Sequence, residues 1–213
     1  MIIAIDGPSG SGKSTVARAV GRALGLPVLE TGAMYRAVTV AALGQGLAPD
    51  DGDGLAALAA RIRIDVDEGV RVDGVDVTDD LRRPEITAAV SAVAAIPGVR
   101  AALVARQQQW IADHGGGVVE GRDIGTVVAP DAAVKVYLEA EEDERAARRH
   151  DQERLGDLEA TRHDLRRRDA FDSGRAASPL AVAADAVVVD TTGRSVDEVV
   201  ADVVALFRAA ASR

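Results

Sequence analysis

Short apolar runs alternate along the chain with longer segments whose apolar residues recur at helical spacing. Because each run is almost continuously hydrophobic, it predicts a strand that is buried on both faces of a parallel sheet. The runs predict about five strands, at 2–5, 27–29, 118–119, 134–138 and 186–189. Alternation of strands with helices indicates an α/β fold with helices on both faces of the sheet. The last helix is predicted at about 195–210, with Ser195 as its N-cap.

One segment, within 62–84, departs from this alternation of strands and helices. Its apolar and polar residues alternate strictly, and Gly69 and Gly74 stand at predicted turns. Such a period of two, interrupted by glycine, predicts a small antiparallel sheet. We therefore expect a core domain formed by 1–61 and 85–213, with a β insert at 62–84.

Composition narrows the classes of protein that remain open. The chain has 213 residues, of which 47% are hydrophobic, so it can bury a core, and it has no cysteine for disulfides or thiolate metal sites. Its net charge of −9 argues against binding to nucleic acid, which requires a basic surface. We find no signal-peptide pattern and no apolar stretch of membrane-spanning length. We expect a cytoplasmic monomer without nucleic-acid or membrane partners.

The segment after the first strand carries the clearest chemical signal. Residues 7–14 read Gly-Pro-Ser-Gly-Ser-Gly-Lys-Ser, which is the G-x-x-x-x-G-K-S phosphate-binding pattern, between a predicted strand and a predicted helix. In such a loop, backbone N–H groups point at phosphate oxygens near a helix N-terminus, where the helix dipole favours negative charge. The predicted ATP-binding residues are Gly7, Pro8, Ser9, Gly10, Ser11, Gly12, Lys13, Ser14 and Thr15.

Three side chains around this loop have predicted roles. Lys13, one of only two lysines in the chain, would reach the β- and γ-phosphates. The hydroxyl of Ser14 would bind Mg²⁺. Glu120, at the end of a later strand, would either orient water on that ion or simply cap the strand end.

Charged residues also follow two of the predicted strands directly. Thr31 opens a helix after the second strand, and Arg36 lies about one turn further along. Arg36 would either clamp a phosphate at that helix N-terminus or be an ordinary surface arginine. Arg122 and Asp123 follow the strand at 118–119. Because doubly wound sheets bind ligands at the carboxyl ends of their strands, we expect both side chains to contact a ligand.

Arginines are concentrated in the last third of the chain. Arg145, Arg148 and Arg149 recur at a spacing that places them on one helical face. They would either pair with neighbouring acidic residues or surround a transferred phosphoryl group with positive charge. A second group, at the end of the next predicted helix, could bind ribose hydroxyls and phosphate: Arg168, Asp172 and Arg175.

A phosphate loop alone leaves several functions open. It serves small-molecule kinases, GTPase-type switches and ATPases. The chain contains no asparagine, which disfavours a GTPase-type switch because the guanine-reading Asn-Lys-x-Asp motif is absent. Kinases acting on CMP, UMP, AMP or a non-nucleotide acceptor remain as alternatives.

Several motifs together resemble the bacterial-type cytidylate kinases, in the nucleoside monophosphate kinase group of P-loop kinases. The resemblance rests on the segments at 5–14, 31–36, 97–100, 120–128 and 168–175, with the insert near 62–84. It implies a phosphotransferase that moves the γ-phosphoryl group of ATP to CMP or dCMP, with Mg²⁺, to give ADP and CDP or dCDP. It also implies a P-loop kinase fold with a short helical lid at about 145–165.

The resemblance further implies roles for individual residues. The cytosine would be read by Ser91, Arg100 and Asp123. The acceptor phosphate would be held by Thr31, Arg36 and Arg122. The ribose and the phosphate region would be bound by Arg168, Asp172 and Arg175. The expected catalytic residues are Lys13, Arg122 and the lid arginines Arg145, Arg148 and Arg149. Thr31 and Glu120 stand where the family pattern has Ser and Asp.

Overall fold

The computed structural model describes residues 1–153, 157–175 and 178–212. Its strands are β1 (Ile2–Asp6), β2 (Val28–Glu30), β3 (Ile64–Asp65), β4 (Arg71–Val72), β5 (Val75–Asp76), β6 (Gly117–Gly121), β7 (Val134–Glu139) and β8 (Val187–Asp190). Its α-helices are α1 (Lys13–Leu24), α2 (Thr31–Gly44), α3 (Gly52–Arg61), α4 (Pro84–Val93), α5 (Pro97–Asp113), α6 (Glu142–Glu153), α7 (Leu158–Ser173) and α8 (Val196–Ala211). Asp80–Arg82 forms a short 3-10 helix, and Ile124–Val128 forms one π-helical turn after β6. The chain divides into two compact units, Met1–Leu29 with Ile111–Arg213 and Glu30–Trp110.

The first unit is built on a five-stranded sheet in the order β2-β6-β1-β7-β8. The pairs β1–β6, β1–β7 and β7–β8 are parallel. Ile3, Ala4 and Ile5 of the central strand are fully buried, as expected for a strand covered on both faces. Helices α1 and α8 pack against each other, α1 also against β6 and α8 against β7. The predicted parallel sheet of about five strands, flanked by helices, is therefore confirmed.

The register of this sheet brings the carboxyl ends of three strands together. Asp6, the last residue of β1, is level with Gly121 of β6 and with Tyr137 of β7. The segments that follow β1 and β6 therefore leave the sheet side by side. One is the phosphate loop, and the other is the turn that carries Arg122 and Asp123.

The last helix, α8, begins at the predicted N-cap. The Ser195 hydroxyl accepts a hydrogen bond from the backbone N–H of Glu198 at 3.3 Å, and the Glu198 carboxylate accepts from the backbone N–H of Ser195 at 2.9 Å. This reciprocal pair is a capping box, which satisfies two backbone donors at the start of the helix. Val199 and Val203 of the same helix are buried in the core that also contains β1 and β7.

The second unit contains the small antiparallel sheet, in the order β3-β4-β5. Ile64 pairs with Val72, and Val72 pairs with Val75. Gly69 and Gly74 precede and follow β4 with φ of 80° and 86°, the left-handed conformation that glycine adopts without strain. The predicted antiparallel sheet is present, although each of its strands is only two residues long.

This unit extends well beyond the predicted insert at 62–84. It runs over Glu30–Trp110 because α2 packs against α3, against α4 and against β4. The alternating pattern marks only the sheet, while the packing of these helices decides how much of the chain belongs to the same compact body. Among the described residues, no single helix is both long enough and apolar enough to span a bilayer. Helices α4 and α5 reach that length and apolarity only when they are taken together, and they are bent by 97° relative to each other.

The predicted lid at about 145–165 corresponds in the first unit to most of α6 and the first half of α7. Its residues 154–156 lie outside the described residues. Within the described part, α6 and α7 pack against each other. The arginines predicted for the lid, Arg145, Arg148 and Arg149, all lie on α6.

Candidate phosphoryl-transfer site

The phosphate loop joins β1 to α1 in the backbone conformation that its glycines allow. Gly7, Gly10 and Gly12 have φ of 149°, 79° and 91°. A Cβ at Gly7 would lie 2.2 Å from the carbonyl oxygen of Leu138, and one at Gly10 would lie 2.8 Å from that of Arg145. Both the backbone angles and the close approach of neighbouring main chain therefore require glycine in this loop.

Lys13 is the buried cation of the loop, with only 5% of its surface exposed. Its ammonium group donates to the carbonyl oxygen of Pro8 at 2.7 Å. Burial, and after it the positive charge of Arg122, lowers the pKa of Lys13 to about 7. An anionic group in the loop would favour the charged form of this lysine, so the loop is suited to receive phosphate.

Ser14 and Glu120 place two oxygen atoms beside this lysine. The Ser14 hydroxyl donates to Oε1 of Glu120 at 3.1 Å, and Glu120 is buried at the end of β6. Hydroxyl and carboxylate oxygens are ligands that suit Mg²⁺. Within the ranges that the structure describes, no group of three or more His, Asp or Glu side chains could hold a metal. An ion at this pair would therefore complete its shell with phosphate oxygens and water.

Asp6 fixes the turn that follows β6, a role that sequence reasoning missed. Its two carboxylate oxygens accept hydrogen bonds from the backbone N–H groups of Ile124 and Gly125, both at 2.8 Å. Burial raises the pKa of Asp6 to about 6, although both backbone donors oppose the shift. The signal available in the sequence was a lone carboxylate at the end of an otherwise apolar strand. Its contacts hold the turn that presents Arg122 and Asp123.

Arg122, Asp172 and Arg175 are brought together in the first unit. Nε of Arg122 donates to Oδ2 of Asp172 at 2.8 Å, and Arg175 forms an ion pair with the other oxygen of the same carboxylate. Burial has the largest single effect and lowers the pKa of Arg122, but the charge and hydrogen bond of Asp172, together with the charges of Glu120 and Asp169, raise that pKa above its ordinary value. Asp123 is buried in the adjoining turn. Arg168, on the same helix as Asp172, is also buried and pairs with Asp164 at 3.3 Å.

Arg145 and Arg148 of α6 contact the phosphate loop and the end of the strand β8, respectively. Nη1 of Arg145 donates to the carbonyl oxygen of Ser9 at 2.9 Å. Arg148 donates to the hydroxyl and the carbonyl oxygen of Thr191, directly after β8, at 2.9 and 2.8 Å. Arg149 is half-buried on the same helix. The arginine face was found from spacing, whereas Thr191 was missed because its position depends on where β8 joins the sheet.

The remaining predicted acceptor residues belong to the second unit. Nη1 of Arg36 donates to the carbonyl oxygen of Leu81 at 2.8 Å and to the hydroxyl of Thr87 at 2.9 Å. The guanidinium of Arg100 lies over the ring of Tyr35, 5.4 Å from its centroid, and that arginine is almost fully buried. Thr31 is the first residue of α2, and Ser91 lies half-buried on α4.

Solved structures with a similar fold are distant in sequence. A gluconokinase from Sinorhizobium meliloti 1021 matches with a TM-score of 0.51 and 20% identity, over 99% of this chain and 94% of that one. An uncharacterized protein from Eubacterium ventriosum ATCC 27560 matches with a TM-score of 0.58 and 14% identity, over 100% and 99%. At these identities the likeness concerns the fold alone. Together with the glycine loop between β1 and α1, it gives the chain the fold of the P-loop kinases.

Sequence relatives give the family within this class. The family model of cytidylate kinase matches residues 3–209. The cytidylate kinase of Mycobacterium avium (strain 104) is 47% identical, over 94% of this chain and 92% of that protein. That of Mycobacterium leprae (strain Br4923) is 45% identical over 98% and 96%. A bifunctional pantoate ligase/cytidylate kinase of Trichormus variabilis is 50% identical over 97% of this chain, but the match covers 41% of that protein.

The chain belongs to the cytidylate kinase family. It is a phosphotransferase whose acceptor is a phosphate group, and the resemblance found in the sequence is confirmed.

Proposed function

We propose that this chain transfers the γ-phosphoryl group of ATP to CMP or dCMP, with Mg²⁺, and releases ADP with CDP or dCDP. The observation that carries the proposal is the pair of hydrogen bonds from Ile124 and Gly125 to Asp6. They fix the turn bearing Arg122 and Asp123 to the strand that feeds the phosphate loop. Two of the residues proposed to bind the acceptor, Arg122 and Asp123, thus adjoin the proposed donor loop within the first unit.

On the donor side, we propose that residues 7–15 bind the phosphates of ATP. The loop N–H groups would surround the phosphate oxygens, and Lys13 would reach the β- and γ-phosphates. Ser14 would hold Mg²⁺ directly, with Glu120 bonded to water in its shell. The bound ion would neutralise negative charge on the phosphate oxygens.

On the acceptor side, the proposal assigns the cytosine to Asp123, Ser91 and Arg100. Cytosine carries an exocyclic amino donor next to ring acceptors, so a carboxylate would accept from the amino group while Ser and Arg donate to the ring. Uracil would turn a carbonyl oxygen toward Asp123. The carboxylate would then face an acceptor, which would disfavour uracil by about 1–3 kcal/mol.

The acceptor phosphate and the ribose have their own proposed residues. The phosphate of CMP would be held by Thr31, Arg36 and Arg122. The ribose and the phosphate region would be bound by Arg168, Asp172 and Arg175. Because that phosphate is already anionic at neutral pH, the reaction needs no general base. Rate enhancement would come from positioning and from positive charge around the transferred group, supplied by Lys13, Arg122, Arg145, Arg148 and Arg149.

The experiment that tests the proposal measures ADP release from Mg-ATP in the presence of CMP, dCMP, UMP, AMP, GMP or shikimate. We expect the largest kcat/KM with CMP or dCMP. A larger value with UMP or AMP would contradict the acceptor assignment. Equal ADP release with and without any acceptor would contradict the transfer reaction. The monomeric state, the cytoplasmic location and the absence of nucleic-acid and membrane partners stay predictions from the sequence.

A further inference from the structure

Asp169, on α7, contacts two other parts of the first unit through one carboxylate. Its Oδ1 accepts from the backbone N–H of Ser9 in the phosphate loop at 3.2 Å. Its Oδ2 accepts from Nη1 of Arg145 on α6 at 2.5 Å. Four-fifths of the Asp169 side chain is shielded, with an exposed fraction of 20%. The proposed site assigns this carboxylate no role.

Arg145 is held from several directions at once. Besides the contact with Asp169, Nη1 donates to the carbonyl oxygen of Ser9 at 2.9 Å, and Nε donates to that of Ala140 at 3.1 Å. The backbone of α6 itself lies against the loop, since a Cβ at Gly10 would be 2.8 Å from the Arg145 carbonyl oxygen. A planar guanidinium with three acceptors in fixed directions keeps a single orientation.

Only one of these three acceptors is a charged side chain. The carbonyl oxygens of Ser9 and Ala140 belong to the main chain, so no substitution of a side chain removes them. Of these three acceptors within the described residues, Asp169 is the one that couples the orientation of Arg145 to another helix. This helix, α7, also carries Arg168, one residue before Asp169, and Asp172, three residues after it.

We propose that Asp169 is a positioning residue for phosphoryl transfer, which holds the guanidinium of Arg145 against Ser9 of the phosphate loop. The inference rests on the proposed role of Arg145 in the reaction. A cation that is already oriented before the substrates bind stabilises developing charge without reorganising. The same carboxylate ties α7, with its proposed acceptor residues, to the loop that binds the donor.

An alternative role for the Asp169 carboxylate predicts a different change in kcat. If Asp169 instead occupied a place meant for a phosphate oxygen, removing its charge would lower the KM for ATP and leave kcat unchanged or higher. If it positions Arg145, removing its charge lowers kcat. The sign of the change in kcat therefore distinguishes the two.

The test is a double-mutant cycle on the full chain with Asp169→Asn, Arg145→Ala and the double variant, measured with saturating Mg-ATP and CMP. We expect Asp169→Asn to lower kcat about tenfold, and the double variant to be no slower than Arg145→Ala alone. Asp169→Glu, which keeps the charge, should have a kcat between those of Asp169→Asn and the wild type. The inference would be overturned if the fold decreases in kcat of the two single variants multiplied in the double variant. It would also be overturned if Asp169→Asn lowered the KM for ATP and preserved kcat.

Two further measurements separate positioning from folding and from the proposed function. Asp202→Asn breaks a surface ion pair with Arg194, 2.7 Å long, and should keep the wild-type kcat. Circular dichroism shows whether Asp169→Asn folds. If it does not, the same cycle is measured with Asp169→Glu. The decrease in kcat that Asp169→Glu causes in the wild type should then be absent in the Arg145→Ala background. A wild-type kcat for Arg145→Ala would refute the proposed role of that arginine, and the inference with it. A slow Arg145→Ala with an independent Asp169 effect would refute only the positioning.

Discussion

At the scale of single residues, the site is marked by charges that are buried rather than solvated. Asp6, Lys13, Glu120 and Asp123 are each exposed by no more than 6%. Removing a charge from water is unfavourable, so such groups are retained where they have partners or a chemical task. Here they surround the ends of β1 and β6, and two of them have clearly shifted pKa values.

Asp6 predicts a specific pH dependence of stability. Its pKa is raised from 3.8 to about 6 in the folded protein, so over this range the folded state binds more protons than the unfolded state. The free energy of unfolding therefore falls as pH rises through that window, by about 3 kcal/mol from this group. Asp6→Asn removes this titrating group. The free energy of unfolding of the variant, relative to that of the wild type, should therefore increase as pH rises from about 4 to about 7. Urea unfolding at several pH values measures this, and parallel curves for the two proteins would contradict it.

The proposed contact of Asp123 with the base predicts how a substitution changes the preference for CMP over UMP. An amide at this position could donate to the carbonyl oxygen of uracil, so Asp123→Asn should lower the ratio of kcat/KM for CMP over UMP by about tenfold or more. The KM for ATP should change little. Asp131→Asn, an exposed aspartate just beyond the same turn, serves as the matched control and should keep the ratio. An unchanged ratio in Asp123→Asn would remove the proposed contact with the base.

At the scale of elements, helix α6 packs directly against the loop between β1 and α1. Gly10 is the point of contact, because the main chain of Arg145 lies where a side chain would otherwise project. Spacing on the sequence placed the arginines of α6 on one face. It did not show that two of them contact neighbouring main chain, and the reason is that these contacts join segments far apart in the chain. Ser9 and Asp169 are separated by 160 positions.

Alanine substitutions at two glycines distinguish the effect of the contact between α6 and the loop from the effect of backbone strain. Gly10 and Gly25 both have left-handed φ, 79° and 65°, but a Cβ at Gly25 would meet nothing within 4 Å. We expect both alanine variants to lose about 1 kcal/mol of stability from the backbone. Only Gly10→Ala should also lower kcat, by displacing Arg145. Equal kcat values for the two variants would show that the contact between α6 and Gly10 is not required for turnover.

The capping box of α8 gives a prediction for stability alone. Ser195→Ala removes the hydroxyl that accepts from the Glu198 N–H and should reduce the free energy of unfolding by about 1 kcal/mol. Because α8 packs on α1 through its apolar face and carries no proposed site residue, kcat should be unchanged. A thermal melt together with the CMP assay checks both statements. A reduced kcat would mean that α8 affects the site through α1.

At the scale of the whole molecule, charge is distributed unevenly between the surface and the site. The chain carries a net charge of −9, yet arginines and Lys13 gather around the loop at the ends of β1 and β6. Local positive charge is sufficient for small phosphorylated ligands, whereas nucleic acid requires an extended basic surface. The two compact units divide the proposed acceptor residues, with Thr31, Arg36, Ser91 and Arg100 in Glu30–Trp110 and the others in the first unit.

Binding of nucleotide should stabilise the whole fold through the loop. Because the proposed donor site exists only in the folded state, we expect Mg-ADP at concentrations well above its Kd to raise Tm in proportion to RT ln(1 + [L]/Kd). Lys13→Ala should lose most of this shift and lower kcat by orders of magnitude, while the Tm without nucleotide stays close to that of the wild type or rises. Differential scanning fluorimetry with and without Mg-ADP measures the shift. A full shift in Lys13→Ala would overturn the assignment of the phosphate loop.

The sequence by itself determined the parallel sheet of about five strands, the small antiparallel sheet, the last helix and the family, and it predicted the phosphate loop. Continuous apolar runs, helical spacing, glycine turns and the N-cap serine are local signals, and each acts over a few residues. Only the tertiary structure decided that Asp6 fixes the 122–125 turn, that Asp169 and Thr191 hold the arginines of α6, and that the second unit extends beyond the β insert. These depend on the strand order β2-β6-β1-β7-β8, which places distant segments side by side, and no local pattern encodes which strand ends will meet.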